Sequence, residues 1–422
     1  MTKWIEADEV VQQLRPGMTV FVAGATAEPG AILEALDRNP ERCAGIRFVS
    51  VSIPGINDVD FSRLHNECKA TAFFATQGNR DAIASGRIDF MPMHYRSIFD
   101  YLAAQSFDVV VAQIPPPGDE SFSIGVCADF LPAVLNNATL FVGEINKQQP
   151  VPADSPTWPV SRLDMAIECD RPVGMLAETE TDAAAIDIGR HVAEIIEDGD
   201  CLQVGIGSIS SAVLAALDNK NDLGVHSGLV SDGMMALALA GNINGRNKNI
   251  DTGRVVSCTT LGSRALLDWV GSAPELRFQA VNYTHDIGVI RQLDQFVSIN
   301  SAMQVDLFGQ VNSDMLNGRQ LSGTGGAVDM MRAAKLSKGG RSIIALKATA
   351  KGGTISRIVA TLTSDTAATI LRTDVDYVVT EFGARRIGQL PVRQRANALI
   401  EIAAPQFQEQ LKKEWECLSA AG

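Results

Sequence analysis

The chain has 422 residues, which is too long for one simple core and predicts two domains. Its hydrophobic fraction of 46% and charged fraction of 20% are typical of a globular protein, and no segment is long and apolar enough for a transmembrane helix. The first residues are acidic where a signal peptide would be apolar, so we expect a cytoplasmic protein. A net charge of -13 argues against a nucleic-acid partner, because phosphate backbones are bound by basic surfaces.

The cysteines and histidines are scattered along the chain. None of the seven cysteines forms a CxxC pair, which is typical of reduced thiols in the cytosol. The five histidines show neither HxxxH nor HExxH spacing. We therefore expect no metal site.

Apolar runs alternate with helical patterns through the first half of the chain. A buried strand is predicted at Met18–Ala23, followed by a loop at residues 24–30 and then by a helix. Two further apolar runs predict strands at Phe107–Ile114 and Ala138–Ile145. Residues 148–159 are rich in proline and polar side chains and are expected to form a loop or crossover.

The same alternation continues in the second half. A helix is predicted at Thr179–Ile195, a short strand at Leu202–Val204 and a helix at Ser210–Leu217. Later strands are expected at Val255–Cys258, Phe296–Ile299, Ser342–Leu346 and Tyr377–Thr380. Short strands between helices predict the α/β class with largely parallel sheets. A composition shift near residues 170–185 predicts domains at 1–180 and 181–422.

Gly205-Ile206-Gly207 lies between a predicted strand and a predicted helix. At such a point, backbone N–H groups can reach an anionic ligand. The third glycine of a dinucleotide fingerprint is absent, which disfavours a nicotinamide site. A tight strand-to-helix turn explains the motif equally well.

Two later segments are also rich in glycine. In Gly323-Thr324-Gly325-Gly326, each glycine costs roughly 0.5–1 kcal/mol to order relative to alanine, which indicates that backbone lies against another group. Its N–H groups suit a carbonyl or thioester oxyanion, and a long hairpin turn is the alternative. Lys351, followed by Gly352-Gly353, suits a phosphate or pyrophosphate, and equally a solvated lysine in a turn.

Residues 225–233 read Val-His-Ser-Gly-Leu-Val-Ser-Asp-Gly. His226 and Ser227 are neighbours in sequence, so on a strand their side chains point apart and form no catalytic pair by themselves. A single histidine here is more typical of a hydrogen-bonded structural residue than of a catalytic one. Gly228, at the centre of the segment, supplies no side chain.

In order and spacing, these segments resemble the acetyl-CoA hydrolase/transferase family, which includes the 4-hydroxybutyrate and butyryl-CoA:acetate CoA-transferases. The resemblance extends over nearly the whole chain. It rests on residues 24–30, Gly143–Asn146, Leu202–Gly207, Gly323–Gly326, Ala350–Val359, Val379–Gly383 and Arg395–Pro405.

The resemblance implies two similar open-sheet α/β domains of the CoA-transferase type, with the three glycine motifs in the second. It also implies acyl-CoA and a carboxylic acid as substrates, a place in acetate metabolism, and a homodimer or higher homo-oligomer. In family transferases a glutamate attacks the thioester, and CoA passes through a glutamyl-CoA thioester. The residues expected to contact coenzyme A are Gly205, Ile206, Gly207, Gly325, Gly326 and Lys351.

The chain departs from this family at the nucleophile. The family pattern H-[ST]-E-M reads His226-Ser227-Gly228-Leu229 here, so Gly228 stands at the position of the family's glutamate. Without a carboxylate, no glutamyl-CoA thioester can form at that position.

Three hypotheses follow from this departure. The first is CoA transfer by an unusual route, with Glu28, Glu144 or Glu381 supplying the carboxylate. The second is reaction with water, as a hydrolase, decarboxylase or C–C hydrolase, with His226, Ser227 or Glu144 as acid or base. The third is coenzyme A binding without catalysis, which the glycine-rich segments disfavour.

Overall fold

The computed structural model describes residues 2–174 and 180–420. Two eight-stranded sheets form its framework. The first sheet contains β1 (Lys3–Trp4), β2 (Thr19–Val22), β3 (Arg47–Ser50), β4 (Lys69–Ala72), β5 (Ile88–Phe90), β6 (Phe107–Ile114), β7 (Ala138–Asn146) and β8 (Met165–Cys169). The second contains β9 (Cys201–Val204), β10 (Gly224–His226), β11 (Val255–Ser257), β12 (Leu276–Phe278), β13 (Phe296–Ser301), β14 (Arg341–Ala345), β15 (Tyr377–Thr380) and β16 (Gly383–Arg386).

Helices connect the strands in both halves. Those of the first half are α1 (Ala7–Val11), α2 (Gly30–Arg38), α3 (Arg80–Ala84), α4 (Tyr95–Ala103) and α5 (Leu131–Leu135). Those of the second half are α6 (Ala183–Ala193), α7 (Ser208–Ala215), α8 (Asp232–Leu239), α9 (Arg264–Val270), α10 (Val281–Thr284), α11 (Ile287–Ile290), α12 (Ala327–Leu336), α13 (Val392–Glu401) and α14 (Pro405–Ala420). None of the helices in the described ranges has the length and apolarity that crossing a bilayer would need.

Short elements fill the connections. Single 3-10 turns lie at Ala25–Ala27, Pro40–Cys43, Phe61–Arg63 and Val160–Arg162. Short strands pair as Ser121–Ser123 with Thr157–Pro159, Leu229–Val230 with Thr259–Thr260, Gln304–Asp306 with Val311–Asn312 and Ile358–Val359, Met315–Leu316 with Arg319–Gln320, and Thr349–Ala350 with Ile355–Ser356.

Apart from the edge strands β1 and β16, the two large sheets have the same topology. The first has the order β1-β8-β7-β6-β2-β3-β4-β5, and the second has the order β12-β11-β10-β9-β13-β14-β15-β16. In each, four successive strands run from an inner strand to one edge of the sheet, and the next strands are added on the other side of that inner strand. All neighbours are parallel except β15 and β16, which are antiparallel. The strand order reverses between β2 and β6 in the first sheet and between β9 and β13 in the second.

The predicted fold class, two similar open-sheet α/β domains, is confirmed. Two predicted strands, Phe107–Ile114 and Tyr377–Thr380, have the observed bounds. The helix predicted at Thr179–Ile195 begins at Ala183, where the Asp182 carboxylate caps it by accepting the Ala185 N–H at 3.0 Å; Thr179 itself lies outside the described residues. The predicted loop at 148–159 also contains a short strand, Thr157–Pro159.

The largest apolar core joins the two halves. It includes buried residues of both sheets, among them Phe21 and Val110 from the first and Val204 and Ile299 from the second. Backbone hydrogen bonds cross the same boundary, including Ala128 N–H to the Cys258 carbonyl at 2.7 Å. The strands of the first sheet end at Cys169 and those of the second begin at Cys201; the boundary between residues 180 and 181 stays a prediction.

Candidate active site

A cavity of about 330 Å³ lies where the strand order reverses in the second sheet. Ligand sites in open α/β sheets are found at such reversals, beyond the carboxyl ends of the strands. Here the ends of β9 and β13 contribute Gly205, Ile206, Asn300 and Ser301 to the walls. Residues of the first half, including Tyr95, close the opposite side, so both halves of the chain form the cavity.

The loop at residues 322–326 forms one wall and is attached to the first half of the chain. Ala75 N–H donates to the Ser322 carbonyl at 3.2 Å, and Tyr95 N–H donates to the Gly325 carbonyl at 3.1 Å. The Thr324 hydroxyl donates to the Met93 carbonyl at 2.6 Å. A Cβ on Gly323 would overlap the Phe73 carbonyl oxygen, so this close approach requires glycine.

The loop leads directly into helix α12, with Gly326 at the N-cap. Gly325 has a φ of 60°, the left-handed region that glycine adopts without a steric cost. The first N–H groups of a helix have no partner within the helix, and they carry its positive dipole end. Backbone donors thus lie at the cavity wall formed by Gly325, Gly326 and Ala327.

The cavity lining is almost free of ionisable groups. Among the residues that the structure describes, no Asp, Glu, Lys or Arg lines it, and its titratable side chains are Tyr95 and His285. Burial raises the pKa of Tyr95 well above its ordinary value, and the Asp129 carboxylate adds to the effect. A carboxylate nucleophile is therefore absent from the described walls.

His285 is the imidazole of this site. It is 3% exposed and follows helix α10, with its ring 4.9 Å from the Tyr95 ring. Its Nδ1 lies 2.9 Å from the Thr284 hydroxyl oxygen. Burial, reinforced by the neighbouring His226, lowers the pKa of His285 to about 3, so the ring is neutral at physiological pH.

The imidazole of His285 fills the space beside Gly228. A Cβ on Gly228 would lie 2.9 Å from Cε1 and 3.0 Å from Nε2 of His285. A Cβ on Gly326 would overlap Cδ2 and Nε2 of the same ring. The ring edge thus lies between the two glycines, and a side chain at either position would displace it.

Neutral polar side chains form the floor of the cavity: Gln203 and Asn300 line it, and Ser298 lies behind them. The Ser298 hydroxyl donates to Gln203 Oε1 at 2.6 Å, and Asn300 Nδ2 lies 2.9 Å from the Ser298 hydroxyl. The Gln203 amide in turn donates to Asn300 Oδ1 at 3.3 Å. These buried groups satisfy one another, so the floor is polar and rigid without carrying charge.

An adjoining groove of about 540 Å³ runs between helices α7 and α8. Gly205 and Ile206 line both the cavity and the groove, and Gly207 lines the groove alone. Asp218 and Asp232 are the charged residues of its described walls. The GxG motif therefore lies at the junction of two spaces.

Ser227 and Gly228 line the cavity, whereas His226 does not, and the catalytic roles expected for them stay predictions. The His226 side chain is fully buried, and its Nε2 lies 3.1 Å from the Thr284 carbonyl, to which it donates. Burial, together with the charge of Lys248, lowers the pKa of His226 to about 3. The structure thus gives His226 a position within the protein interior, because the alternation along β10 directs it away from the cavity.

Glu144 lies on β7 of the first sheet and is not part of the cavity lining. Its Oε2 accepts N–H groups from Ala31 at 2.9 Å and Ile32 at 3.2 Å, at the beginning of α2. Burial raises the pKa of Glu144. Its geometry is that of a helix-terminus acceptor, so the catalytic role expected for it has no support from its position.

The remaining expected carboxylates and Lys351 also lie outside the described cavity lining. Burial raises the pKa of Glu28 to about 7, and Glu144 and Asp58 reinforce the shift. The Glu381 carboxylate accepts the Ala348 N–H at 2.7 Å. Lys351 is exposed, in the turn between two short antiparallel strands, and lines neither the cavity nor the groove.

Sequence reasoning did not find His285. The only signal was a histidine between a threonine and an aspartate, far along the chain from Gly228. The proximity of the two residues depends on how helix α10 packs against α4, which no local pattern records. No group of three or more potential metal ligands is found in residues 2–174 and 180–420.

Comparison with known proteins agrees with this geometry. Residues 1–176 match the acetyl-CoA hydrolase/transferase N-terminal domain, and residues 262–415 match the C-terminal domain. The chain is 36% identical over 417 residues to the 4-hydroxybutyrate coenzyme A transferase of Clostridium kluyveri, covering 98% of this chain and 97% of that one. The chain therefore belongs to the acetyl-CoA hydrolase/transferase family of enzymes.

Solved structures show the same fold. The 4-hydroxybutyrate CoA-transferase of Porphyromonas gingivalis superposes with a TM-score of 0.81 at 33% identity, over 98% of this chain and 97% of that chain. RipA from Yersinia pestis superposes with a TM-score of 0.92 at 29% identity, over 99% and 98% of the two chains. The prediction from the sequence motifs that this is an enzyme of the family is confirmed.

Proposed function

We propose that this chain cleaves an acyl-CoA thioester in the cavity between its two halves, with water as acceptor and without a glutamyl-CoA intermediate. The observation that carries the proposal is the cavity lining, in which Gly228 faces the imidazole of His285 and no described carboxylate is present. A protein nucleophile of the family type has no place there. The absence of a carboxylate from the described lining supports an attacking group that comes from solution.

The reaction is a simple acyl transfer. The water oxygen adds to the thioester carbonyl carbon and gives a tetrahedral intermediate, whose oxyanion the backbone donors beside Gly325 and Gly326 are placed to receive. The C–S bond then breaks, and the thiolate takes up the proton that water has lost. The products are the carboxylic acid and coenzyme A.

The charges of the walls favour water over a second acid. An acceptor carboxylate needs a cation or several donors to leave bulk water, because isolated charges are costly to bury. No described lysine or arginine lines the cavity. Water has no such requirement, and the neutral side chains of Gln203 and Asn300 on the cavity floor suit it.

The adjoining groove supports a position for the coenzyme. Its walls carry Asp218 and Asp232 and no described cation, which suits the amide-rich pantetheine arm better than phosphates. We propose that the arm passes over Gly205, Ile206 and Gly207, so that the thioester enters the cavity. Contact of Lys351 with the phosphates stays a prediction, as do the cytoplasmic location and the homodimer.

A second candidate is CoA transfer to a carboxylic acid by direct attack on the thioester. The observation favouring it is the relationship to the 4-hydroxybutyrate coenzyme A transferase of Clostridium kluyveri. In this case the acid oxygen replaces water, and CoA thiolate must then attack the resulting anhydride at the acceptor's carbonyl carbon. The anhydride would have to remain bound, because no protein carboxylate holds the acyl group.

One experiment separates these alternatives. The protein is incubated with acetyl-CoA, butyryl-CoA and 4-hydroxybutyryl-CoA, with and without acetate, while free thiol, acyl-CoA exchange and intact protein mass are measured. We expect thiol release without acetate and no mass increase from a CoA thioester. Exchange only with acetate would favour transfer, binding without turnover would leave a non-catalytic role, and a trapped protein–CoA thioester would refute the proposal.

A further inference from the structure

The first half of the chain contributes an apolar wall to the cavity. Ile53 and Pro54 follow β3, Phe74 follows β4, and Tyr95 begins α4 after β5. None of the four carries a charge, and the Tyr95 hydroxyl is hydrogen-bonded to Asp129, which does not line the cavity. The segments proposed to hold the thioester and the coenzyme arm belong to the second half. The part of a bound acyl group beyond its thioester therefore faces this apolar wall.

The Ile53–Pro54 part of the wall is held by one buried side chain, that of Asn57. Asn57 is 1% exposed and does not itself line the cavity. Its Oδ1 accepts the Ile53 N–H at 2.9 Å, and its backbone N–H donates to the Ile53 carbonyl at 3.0 Å. Both backbone polar groups of Ile53 are therefore fixed by Asn57.

The same amide joins this loop to the loop that follows β2. Asn57 Oδ1 also accepts the Ala25 N–H at 2.7 Å, and Asn57 Nδ2 donates to the Ala25 carbonyl at 3.1 Å. Because an amide nitrogen cannot accept N–H groups, these bonds fix the orientation of the amide. A Cβ on Gly24 would overlap the Val51 carbonyl oxygen, so the two loops lie in direct contact.

The backbone beside this contact is strained. Ala25 is 2% exposed and has a φ of 49°, in the left-handed region that is unfavourable for a residue with a Cβ. Such a conformation persists only where the surrounding structure holds it, and it is concentrated at functional sites. Asn57 holds it here, and the oxygen that binds Ala25 also binds Ile53. The strained loop and the apolar wall thus depend on a single side chain.

From this geometry we infer that Asn57 is a positioning residue, which fixes Ile53 and Pro54 in the cavity and so selects acyl groups with a short, uncharged and apolar tail. The inference rests on the proposed function, since it requires an acyl-CoA in the cavity. A charged tail is disfavoured because no described lysine or arginine lines the cavity to pair with a second carboxylate. The length of the tail is limited because the wall closes the cavity opposite the second half.

The test measures kcat/KM for acetyl-, butyryl-, octanoyl- and succinyl-CoA. For the wild type we expect butyryl-CoA to exceed octanoyl-CoA and succinyl-CoA by at least about tenfold each, because misfitting methylenes and unpaired charges are costly in a closed pocket. In Asn57→Ala, the ratio of butyryl-CoA to octanoyl-CoA should fall by about tenfold, chiefly through KM, since the released wall gives way to the longer chain. Acetyl-CoA, whose tail is one methyl group, should change least.

A double-variant comparison tests whether Asn57 acts through Ile53. Ile53→Ala enlarges the wall directly and should shift the same ratio in the same direction. Since both residues act on one wall, the two shifts should not add in the double variant Asn57→Ala/Ile53→Ala.

Asn146→Ala is the matched control. Asn146 is also a buried asparagine of the first half, and its Nδ2 donates to Gln113 Oε1 at 2.7 Å and to the Arg171 carbonyl at 2.9 Å. It does not line the cavity, so its removal should leave the ratio of butyryl-CoA to octanoyl-CoA unchanged.

Other outcomes overturn the inference. An equal fall in kcat/KM for all four substrates in Asn57→Ala would make the residue structural only, and additive shifts would show that it does not act through Ile53. A wild type that prefers succinyl-CoA or octanoyl-CoA would contradict the substrate class. Should Asn57→Ala fail to fold, Asn57→Ser, which keeps a hydroxyl acceptor, should give a smaller shift, and an unchanged ratio in Ile53→Ala refutes the role of the wall. Turnover of none of the four substrates by the wild type would instead refute the proposed function.

Discussion

Apart from their edge strands β1 and β16, the two large sheets share one strand order, yet the space beside their inner strands differs in size. In the second sheet, glycine-rich segments leave a cavity of about 330 Å³. In the first sheet, Cys127, Asp129, Phe130 and Leu131 cover the carboxyl ends of β2 and β3, and the cavity there has a volume of about 10 Å³. The shared strand order therefore provides a place for a ligand site in each sheet. The residues that follow the strands determine whether a cavity is present there.

The difference also extends to charge. The small cavity of the first sheet is lined by a buried carboxyl group, Asp129, whereas no described carboxylate lines the larger cavity of the second sheet. Burial raises the pKa of Asp129 to about 7, so the group is largely protonated in weakly acidic solution. The acid lies where no substrate can reach it, and the substrate space is neutral. Four variants test this comparison, in order of decreasing expected effect.

Leu131→Ala should enlarge the small cavity of the first sheet, which Leu131 lines. Leu131 is 2% exposed, and truncation of a buried leucine costs about 2–5 kcal/mol in the free energy of unfolding. Urea denaturation of the variant measures the loss. Leu336→Ala is the matched control, since this leucine is 61% exposed, and its change should stay within about 0.5 kcal/mol. Equal losses of unfolding free energy in the two variants would show that the residues around this small cavity are not tightly packed.

Asp129→Asn should change how stability depends on pH. The folded pKa of Asp129 is raised from 3.8 to about 7, so the folded chain keeps a proton that the unfolded chain releases. Its contribution to stability therefore falls as pH rises from about 4 to about 7 and is constant above that, by at most about 4 kcal/mol. Asparagine does not titrate, so the stability of the variant relative to wild type should increase across this range.

The measurement is the urea midpoint of the wild type and Asp129→Asn at intervals between pH 4 and pH 8. Asp119→Asn serves as the control, because Asp119 is exposed. A difference between wild type and Asp129→Asn that stays constant with pH would contradict the assignment of a protonated buried carboxyl group.

Gly228→Glu should partly fill the larger cavity of the second sheet. Because a Cβ at this position would lie 2.9 Å from the His285 ring, the substitution should cost about 1–3 kcal/mol of stability. Gly228→Glu combined with His285→Asn should recover most of that loss, since the smaller side chain makes room. The double variant, incubated with acyl-CoA, should also give a protein–CoA thioester detectable by intact mass, and the single variant should not. Additive losses of stability would contradict the contact between the two positions.

Lys351→Ala should have the smallest effect. Lys351 is exposed and lines neither the cavity nor the groove, so its removal should change KM for butyryl-CoA by less than about threefold, equivalent to roughly 0.7 kcal/mol. The same assay with a butyryl-pantetheine thioester, which lacks the phosphates, is the control. A large rise in KM for butyryl-CoA alone would instead support the phosphate contact predicted from the sequence.

The sequence predicted the frame of the molecule better than its site. Strands such as Phe107–Ile114 are buried on both faces of a parallel sheet, so they are continuous apolar runs with visible ends. The strand Thr157–Pro159 was missed because it exists only by pairing with Ser121–Ser123, far away in sequence. Local patterns do not record such pairings.

The same limit applies to the site. Gly228, Ser227 and the glycines of residues 323–326 could be singled out because the unusual residues stand next to one another in the chain. His285 could not, because its relation to Gly228 arises only when helix α10 is packed in place.

The attachment of residues 322–326 to the first half of the chain has a consequence for motion. The Ser322 and Gly325 carbonyls accept backbone N–H groups of the first half, and the Thr324 hydroxyl donates to a backbone carbonyl of that half. All three residues nevertheless belong to the segment that leads into α12. Any hinge movement that separates the halves must break these bonds and displace the N–H groups at the helix end. On the proposed mechanism, opening for product release would therefore also displace the N–H groups expected to bind the oxyanion, and the thioester would be cleaved only in the closed arrangement.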